Sequence, residues 1–472
     1  MAEISPFCAL RYDPERVPLA DVVTQPYDKI TPEMQARYYR AHPCNLVRII
    51  LGNPELEAGA GQNVYQNAAA YLRDWRQSGV LRAEAEPAFY AYWQRFKAPG
   101  SSQELERRGF IGLGRLYDYS EGVVFRHEQT LAKPKQDRLN LLRATRAHGG
   151  QLFMLYSDPE RQVERALAPA AAPEIDLRDE YGVQHQVWRI SGRDVLARMA
   201  GLMADKKLLI ADGHHRYETA LAYRNERRTE QGPHLPEAGR GGAPARENLK
   251  TVGPGASPGL HLASPESLTG AGAPARASAP YEFVMMTFIN MDAPGLVILP
   301  THRVVFGLAG FDKDLFLRSA FPYFNIEPFA ATDPTRLTAL LHHAGQQGTA
   351  FVAAIGREAF LLRTRPGAAD SLLAGLSPRQ RMLDVVQLHK IVLEHVLGIS
   401  EEAIRQQQNI AYLRDPGEAI ERARSGANVA LLMNAVAIER MREVAFAGEV
   451  MPQKSTDFYP KLLSGLTIYA LD

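Results

Sequence analysis

Residues 208–224 read LLIADGHHRYETALAYR, a pattern that specifies a strand, a turn and a helix in succession. The four apolar residues Leu208 to Ala211 predict a short buried strand. Asp212-Gly213 predicts a turn, after which Tyr217, Ala220 and Leu221 fall at i, i+3 and i+4, with Tyr223 three beyond Ala220. That is the period of a helix with one apolar side. Gly213, His214, His215 and Arg216 then stand at the helix start, where unpaired backbone N–H groups and the positive end of the macrodipole favour an anion. Two imidazoles and a guanidinium at that place predict a phosphate site. The plainer alternative is that Asp212 caps the helix and the histidines are solvated. Two adjacent histidines beside an arginine are more than a cap requires.

A chain of 472 residues is longer than one core usually organises, so two or three domains are expected. Hydrophobic residues make up 46% and charged residues 23%, the balance of a soluble globular protein. A net charge of +1 lacks the basic excess that drives nonspecific nucleic-acid binding, which weighs against nucleic acid as a partner. Two cysteines, Cys8 and Cys44, build neither a disulfide framework nor a cysteine-based metal site and suit a reducing compartment. The start, MAEISPFCALRYDPERV, has no basic region followed by an apolar run, and no segment has the length of a membrane span. A cytoplasmic protein is expected. Its oligomeric state is not legible.

From Asn225 to Pro280, glycine, proline, alanine and serine dominate, which predicts a long insertion with little apolar area to offset ordering. Three segments follow: an N-terminal α/β region at 1–225, the insertion at 226–280, and a C-terminal α+β region at 281–472. In the first, Pro32–Tyr39 reads as a helix capped by Thr31 and Leu46–Leu51 as a strand. Gly61–Gln77 and Arg138–Arg146 read as helices, Phe89–Phe96 and Phe153–Tyr156 as strands. In the last, strands are expected at Phe283–Asn290, Val297–Leu299, Thr349–Ile355, Ala359–Arg363 and Ala430–Met433, with helices at Met382–Leu397 and Glu418–Arg424. The class is mixed α and β, and the pattern does not fix the sheet order.

Polar residues gather in four further groups. Gln25-Pro26-Tyr27-Asp28 precedes a helix. Residues 125–138, FRHEQTLAKPKQDR, place Arg126, His127, Glu128, Lys133, Lys135, Asp137 and Arg138 together, and Pro134 suggests an irregular loop. A solvated charged face is the ordinary reading of such a run, but Glu128 among cations is also a candidate base. Pro300-Thr301-His302-Arg303 follows a strand, where site loops commonly lie. Lys454, Ser455 and Thr456 have the chemistry of a phosphate contact. No Walker loop, protein-kinase signature or zinc-binding H-E-x-x-H occurs. Adjacent His214 and His215 point about 100° apart on a helix and are poorly placed to share one ion.

These residues carry a resemblance. PFCALRYDPERV, QPYDKI, PEMQARYYRAHPCNLVRIIL, RHEQTLAKPKQDRLNLLRAT, DGHHRYETAL, LPTHRVV and MPQKSTDFYPKLLSGL resemble the family labelled domain of unknown function ten-fifteen, along nearly the whole chain. Gln25 and Ala435 stand where the family pattern has prolines, and neither replaces a candidate catalytic group. DGHHR is also similar to the signature of the ParB/sulfiredoxin-like superfamily, which implies a nucleotide-binding core joined to a second, C-terminal α+β domain. Within it, free L-serine kinases have a similar DGHHR and an upstream His-Glu pair whose glutamate is the general base; His127-Glu128 stands in the same order here.

The resemblance implies phosphoryl transfer from a nucleotide to a small hydroxylated metabolite, with free serine as acceptor. Catalytic roles would fall to Glu128, His127, Asp212 and Arg216. Nucleotide phosphates would lie on Gly213, His214, His215, Arg216, Lys454, Ser455 and Thr456, and substrate on Tyr27, Asp28, Arg126, Lys135, Arg138, His302 and Arg303. Mg²⁺ with ATP or ADP, or with CTP, is the implied cofactor, and Asp212, Asp28 or Asp137 would offer it oxygen. A ParB-like nucleotide switch and a phosphatase are the competing readings.

Overall fold

The structure, a computed structural model, describes residues 2–56, 63–128, 132–230, 279–329 and 333–472. It is a mixed α/β protein built on two large sheets. The first has nine strands, in the order Val124–Phe125, Leu208–Asp212, Leu152–Tyr156, Phe283–Asn290, Glu104–Arg115, Phe89–Lys97, Gln184–Ile190 and Ile175–Arg178, with Ile4–Ser5 pairing along Glu104–Arg115. The second has six, in the order Phe324–Phe329, Glu358–Thr364, Ala350–Ile355, Val429–Met433, His302–Val305 and Ile410–Leu413. Phe283–Asn290 follows the insertion in sequence but completes the first sheet. A two-stranded ribbon of Val297–Leu299 and Asp457–Tyr459 lies outside both.

The opening stretch folds as its pattern dictates. Leu208 and Ile210 join one core with Tyr217, Ala220 and Leu221 of the following helix, His214–Glu230. Leu209 and Ala211 face the other way, into a core shared with Phe351, Leu431 and Phe458. Alternation along the strand thus ties the helix to one side of the sheet and the C-terminal region to the other. Gly213 has φ +95°, and a Cβ there would come within 2.9 Å of Leu152 Cδ2 and 3.0 Å of Arg216 Nη2. Only glycine makes this turn without strain.

Several expectations need correction. Leu46–Leu51 is no strand: Val47–Ile50 is a helical turn, with Asn45 Oδ1 accepting the Val47 N–H at 2.9 Å. A short apolar run is ambiguous between the two states, and the asparagine turn before it, accepting the first N–H of the helix, favours the helical one. The charged segment is not a loop to its end, since a helix runs over Ala132–Thr145. Pro134 sits in its first turn, where no N–H is required. The helix at Asp384–Gln387 passes into a π-helix over Leu388–Val396 rather than continuing as α. The helix after DGHHR extends to Glu230, into the start of the expected insertion, whose residues 231–278 lie outside the described residues. No helix among the described residues is long and apolar enough to cross a membrane.

Candidate functional site

The strand Leu208–Asp212 delivers Asp212 and Gly213 to the floor of a cleft of about 230 Å³. His214, His215 and Arg216 form one side of it at the helix start. Tyr27, Asp28, Glu128, Gln407, Gln453 and Lys454 contribute the rest. Residues from five separate parts of the chain therefore meet at one place.

The His127-Glu128 pair is held by the C-terminal segment. Met451 N–H donates to His127 C=O at 2.7 Å, and the next residues fold over the carboxylate. Glu128 Oε1 accepts the Thr456 N–H at 2.9 Å and its hydroxyl at 3.0 Å, while Oε2 accepts the Lys454 N–H at 3.3 Å. Burial pushes this carboxyl up, but the neighbouring His127 and His214 and the Thr456 N–H outweigh it and hold it at about 2. Hydrogen bonds to the charged form are the general cause of such depression. His127 is fully buried, with Nδ1 2.8 Å from the Ile210 carbonyl and Nε2 2.7 Å from Thr456 Oγ1.

His214 packs its ring edge-on to His127, 4.7 Å between centroids. It is 8% exposed and its Nε2 has no hydrogen-bond partner. Burial, and then repulsion from His127, lower it to about 3, so it is neutral at pH 7. A buried ring nitrogen left without a partner beside a cleft is a place for a ligand atom. His215 is lowered too, by burial and then by Lys454 and Lys135.

Asp212 accepts the Gly213 N–H at 2.9 Å and faces Lys461 Nζ at 3.2 Å. Burial would raise its carboxyl, yet Lys461, Arg216 and Lys29 hold it far below the usual range. Lys461 also lies 3.0 Å from Asp457, which is paired in addition with Arg414. Neither Lys461 nor Asp457 was singled out from sequence, although both lie inside the quoted MPQKSTDFYPKLLSGL. Arg216 donates to the Gln151 carbonyl.

Other expected site residues lie elsewhere. Arg126 and Lys135 both pair with Glu218, one turn along the helix from His214. Arg138 lies over the Tyr27 ring at 4.3 Å and is tied to Asp137 and the Ile50 carbonyl. The Lys133 side chain lies outside the described residues. Ser455 is 4% exposed and donates to Pro452 C=O at 2.5 Å. His302 and Arg303 are fully buried behind the cleft. Arg303 donates to Lys454 C=O at 3.1 Å and so fixes the loop that holds Glu128.

Among the described residues, no group of three His, Cys, Asp or Glu is arranged to hold a metal ion. Asp212 is taken by Lys461 and the Gly213 N–H, and Asp137 by Arg138 and Tyr65. Asp28, the third of these carboxylates, lines the cleft.

Comparison with known proteins agrees with the sequence patterns. The chain belongs to the family described as "Protein of unknown function (DUF1015)", which it matches over residues 4–386. The segment 451–466 lies past the end of that match. Solved structures with some likeness include a mutant free serine kinase in complex with AMP, at TM-score 0.32 and 12% identity, covering 73% of this chain and 89% of that one. Another mutant free serine kinase, in complex with ADP, gives TM-score 0.31 with the same identity and coverage. A conserved hypothetical protein from Pyrococcus furiosus gives TM-score 0.29 at 12% identity, covering 71% and 87%. No curated protein matches.

Proposed function

We propose, with membership of this family as the premise, that the protein is a nucleotide-dependent phosphotransferase acting on a small hydroxylated metabolite, free L-serine first. One observation carries the reading: a carboxylate held ionised, Glu128, lines the same cleft as the DGHHR helix start. Phosphoryl transfer asks for positioned cations, an aligned hydroxyl and a base within reach.

The roles follow from chemistry. Nucleotide phosphates lie at the N-terminus of the His214–Glu230 helix, at the positive end of its dipole, with Arg216 and Lys454 supplying charge and His214 Nε2 a neutral donor. The acceptor hydroxyl approaches Glu128. Its proton passes to Oε2, which among the described residues holds only the longer bond from Lys454, as its oxygen bonds to the terminal phosphorus. The phosphorus–oxygen bond to the nucleotide breaks, and its electron pair leaves on the nucleotide phosphate. A metal ion would enter with the nucleotide and offset the charge of its phosphates.

The test is direct. Purified protein is incubated with ATP, ADP or CTP and a panel of hydroxylated metabolites, and products are followed by mass spectrometry. Phosphoserine is the expected product. Inorganic phosphate alone, with no phosphorylated metabolite, would identify a hydrolase, and nucleotide binding without turnover would identify a switch.

A further inference from the structure

Hydrogen-bond arithmetic at His127 leads one step further. Nδ1 faces the Ile210 carbonyl at 2.8 Å, and a carbonyl only accepts, so Nδ1 bears a hydrogen. Nε2 faces Thr456 Oγ1 at 2.7 Å, and the same oxygen lies 3.0 Å from Glu128 Oε1. The hydroxyl has one hydrogen to serve two contacts. If it points to Nε2, the contact with Glu128 needs a hydrogen from a protonated carboxyl. If it points to Glu128, Nε2 must supply the hydrogen to the 2.7 Å contact, and His127 is an imidazolium. A neutral ring together with a bare carboxylate leaves one close contact without any hydrogen, which burial makes costly.

We infer that Thr456 joins His127 and Glu128 into one unit that holds a single proton beyond the neutral ring and the carboxylate, kept on His127 so that Glu128 stays ionised. Thr456 is thereby a positioning residue for the base, and the inference rests on the reading of Glu128 as that base. Direct contact between ring and carboxylate does not do this work, because Nε2 and Oε1 are 3.7 Å apart.

The surroundings suit a pair of zero net charge. His214, edge-on to His127, is kept neutral. Arg303, fully buried, stands behind the loop through Lys454 C=O, with Tyr412 under its guanidinium and His389 beside it. His215 and Lys454 face Glu128 from the cleft. An unpaired imidazolium here would add to these cations, whereas the threonine-linked pair does not. The role also accounts for a threonine at 456: a hydroxyl relays, and an isosteric valine does not.

The test reads the ring directly. Nitrogen NMR of the full chain labelled in histidine, with His127 assigned by its loss in His127→Asn, should give both ring nitrogens protonated at neutral pH. Thr456→Val should convert that signature to a neutral ring protonated on Nδ1, and Thr456→Ser should restore the imidazolium. In turnover, Thr456→Val should lower kcat by about 10²-fold, at the low end of general-base effects, with KM little changed and serine rescuing most of it. A neutral His127 in the parent protein overturns the inference whether or not the valine variant folds, as does an imidazolium that persists in Thr456→Val. Failure of the parent reading looks different: Glu128→Gln would then keep turnover, whatever the state of His127.

Discussion

The two walls of the cleft are made by opposite means. Asp212 to Arg216 is five consecutive residues on a strand, a glycine turn and a helix start, and each is placed by backbone geometry next to it in sequence. The facing wall joins Glu128 to Lys454 and Thr456 across 326 and 328 positions, and buried groups hold it. Arg303 fixes the loop through Lys454 C=O, and Lys461 ties Asp457 of that segment back to Asp212. A wall made locally tolerates distant change, while a composite wall is only as firm as the buried pairs that join its parts.

The sharpest break in this comparison is Glu128→Gln. The amide keeps the shape, and its single oxygen still accepts from Thr456 while its NH2 stands in place of Oε2, but it takes no proton. Turnover should fall by about 10²–10⁴-fold with nucleotide affinity kept, as measured by product formation and by calorimetry. Full turnover in this variant would reduce the composite wall to a structural brace.

Next comes Lys461→Met. Lys461 is 8% exposed and lies within 3.2 Å of Asp212 and 3.0 Å of Asp457, so its removal leaves buried carboxylates short of their partner. Breaking a buried pair from one side costs about 3–5 kcal/mol. Urea denaturation should show a loss of that order, and a loss below about 1 kcal/mol would mean that solvent replaces the lysine.

A smaller effect comes with acid. Burial lowers His302 and His148 to about 4, and burial with His127 lowers His214 to about 3, against an ordinary value of 6.5. These rings are neutral when folded and take protons first when unfolded, so the unfolded state binds more protons as pH falls. Their stability is present above pH 6.5 and is lost between there and about 4, by at most about 1.4 kcal/mol per group per pH unit. Asp384 opposes this, since burial raises it to about 6 and its contribution is present at low pH and lost as pH rises through 6. Denaturation midpoints should therefore fall from pH 7 to 5, and His302→Asn should flatten the slope. An unchanged slope in that variant would show that His302 gains a partner which the described contacts lack.

The same contrast sets what was legible in the sequence. The LLIA run, the DG turn and the i, i+3, i+4 spacing fixed the strand, turn and helix because each is a local pattern. Ser455 is expected at the site because its chemistry suits phosphate and Arg303 because it follows a strand end, yet burial turns both inward, toward Pro452 C=O and Lys454 C=O. Lys461 and Asp457 passed unnoticed because a buried lysine pairing with an aspartate four positions away looks like any surface pair in sequence. Val47–Ile50 was misread because an apolar run alone does not separate a buried strand from a buried helical turn. What escapes sequence is the tertiary partner, and the composite wall consists of little else.

The finest test asks which cations belong to which wall. Arg126 and Lys135 lie near Glu128 in sequence, but both are drawn to Glu218, one turn along the helix from His214, and their side chains are 42% and 37% exposed. Arg126 shares Glu218, itself only 10% exposed, with Lys135 and does not line the cleft, so Arg126→Gln should change nucleotide affinity by less than about fivefold. Lys454 lines the cleft itself, on a left-handed backbone at φ +57° that turns its N–H to Glu128. A charged hydrogen bond to phosphate is worth about 1.5–3 kcal/mol, so Lys454→Met should weaken nucleotide binding by more than about tenfold. Titration calorimetry on the two variants side by side compares them under one condition. The reverse order would move the phosphates from the helix start toward Glu218, and the cleft between the two walls would then have to be assigned to the acceptor alone.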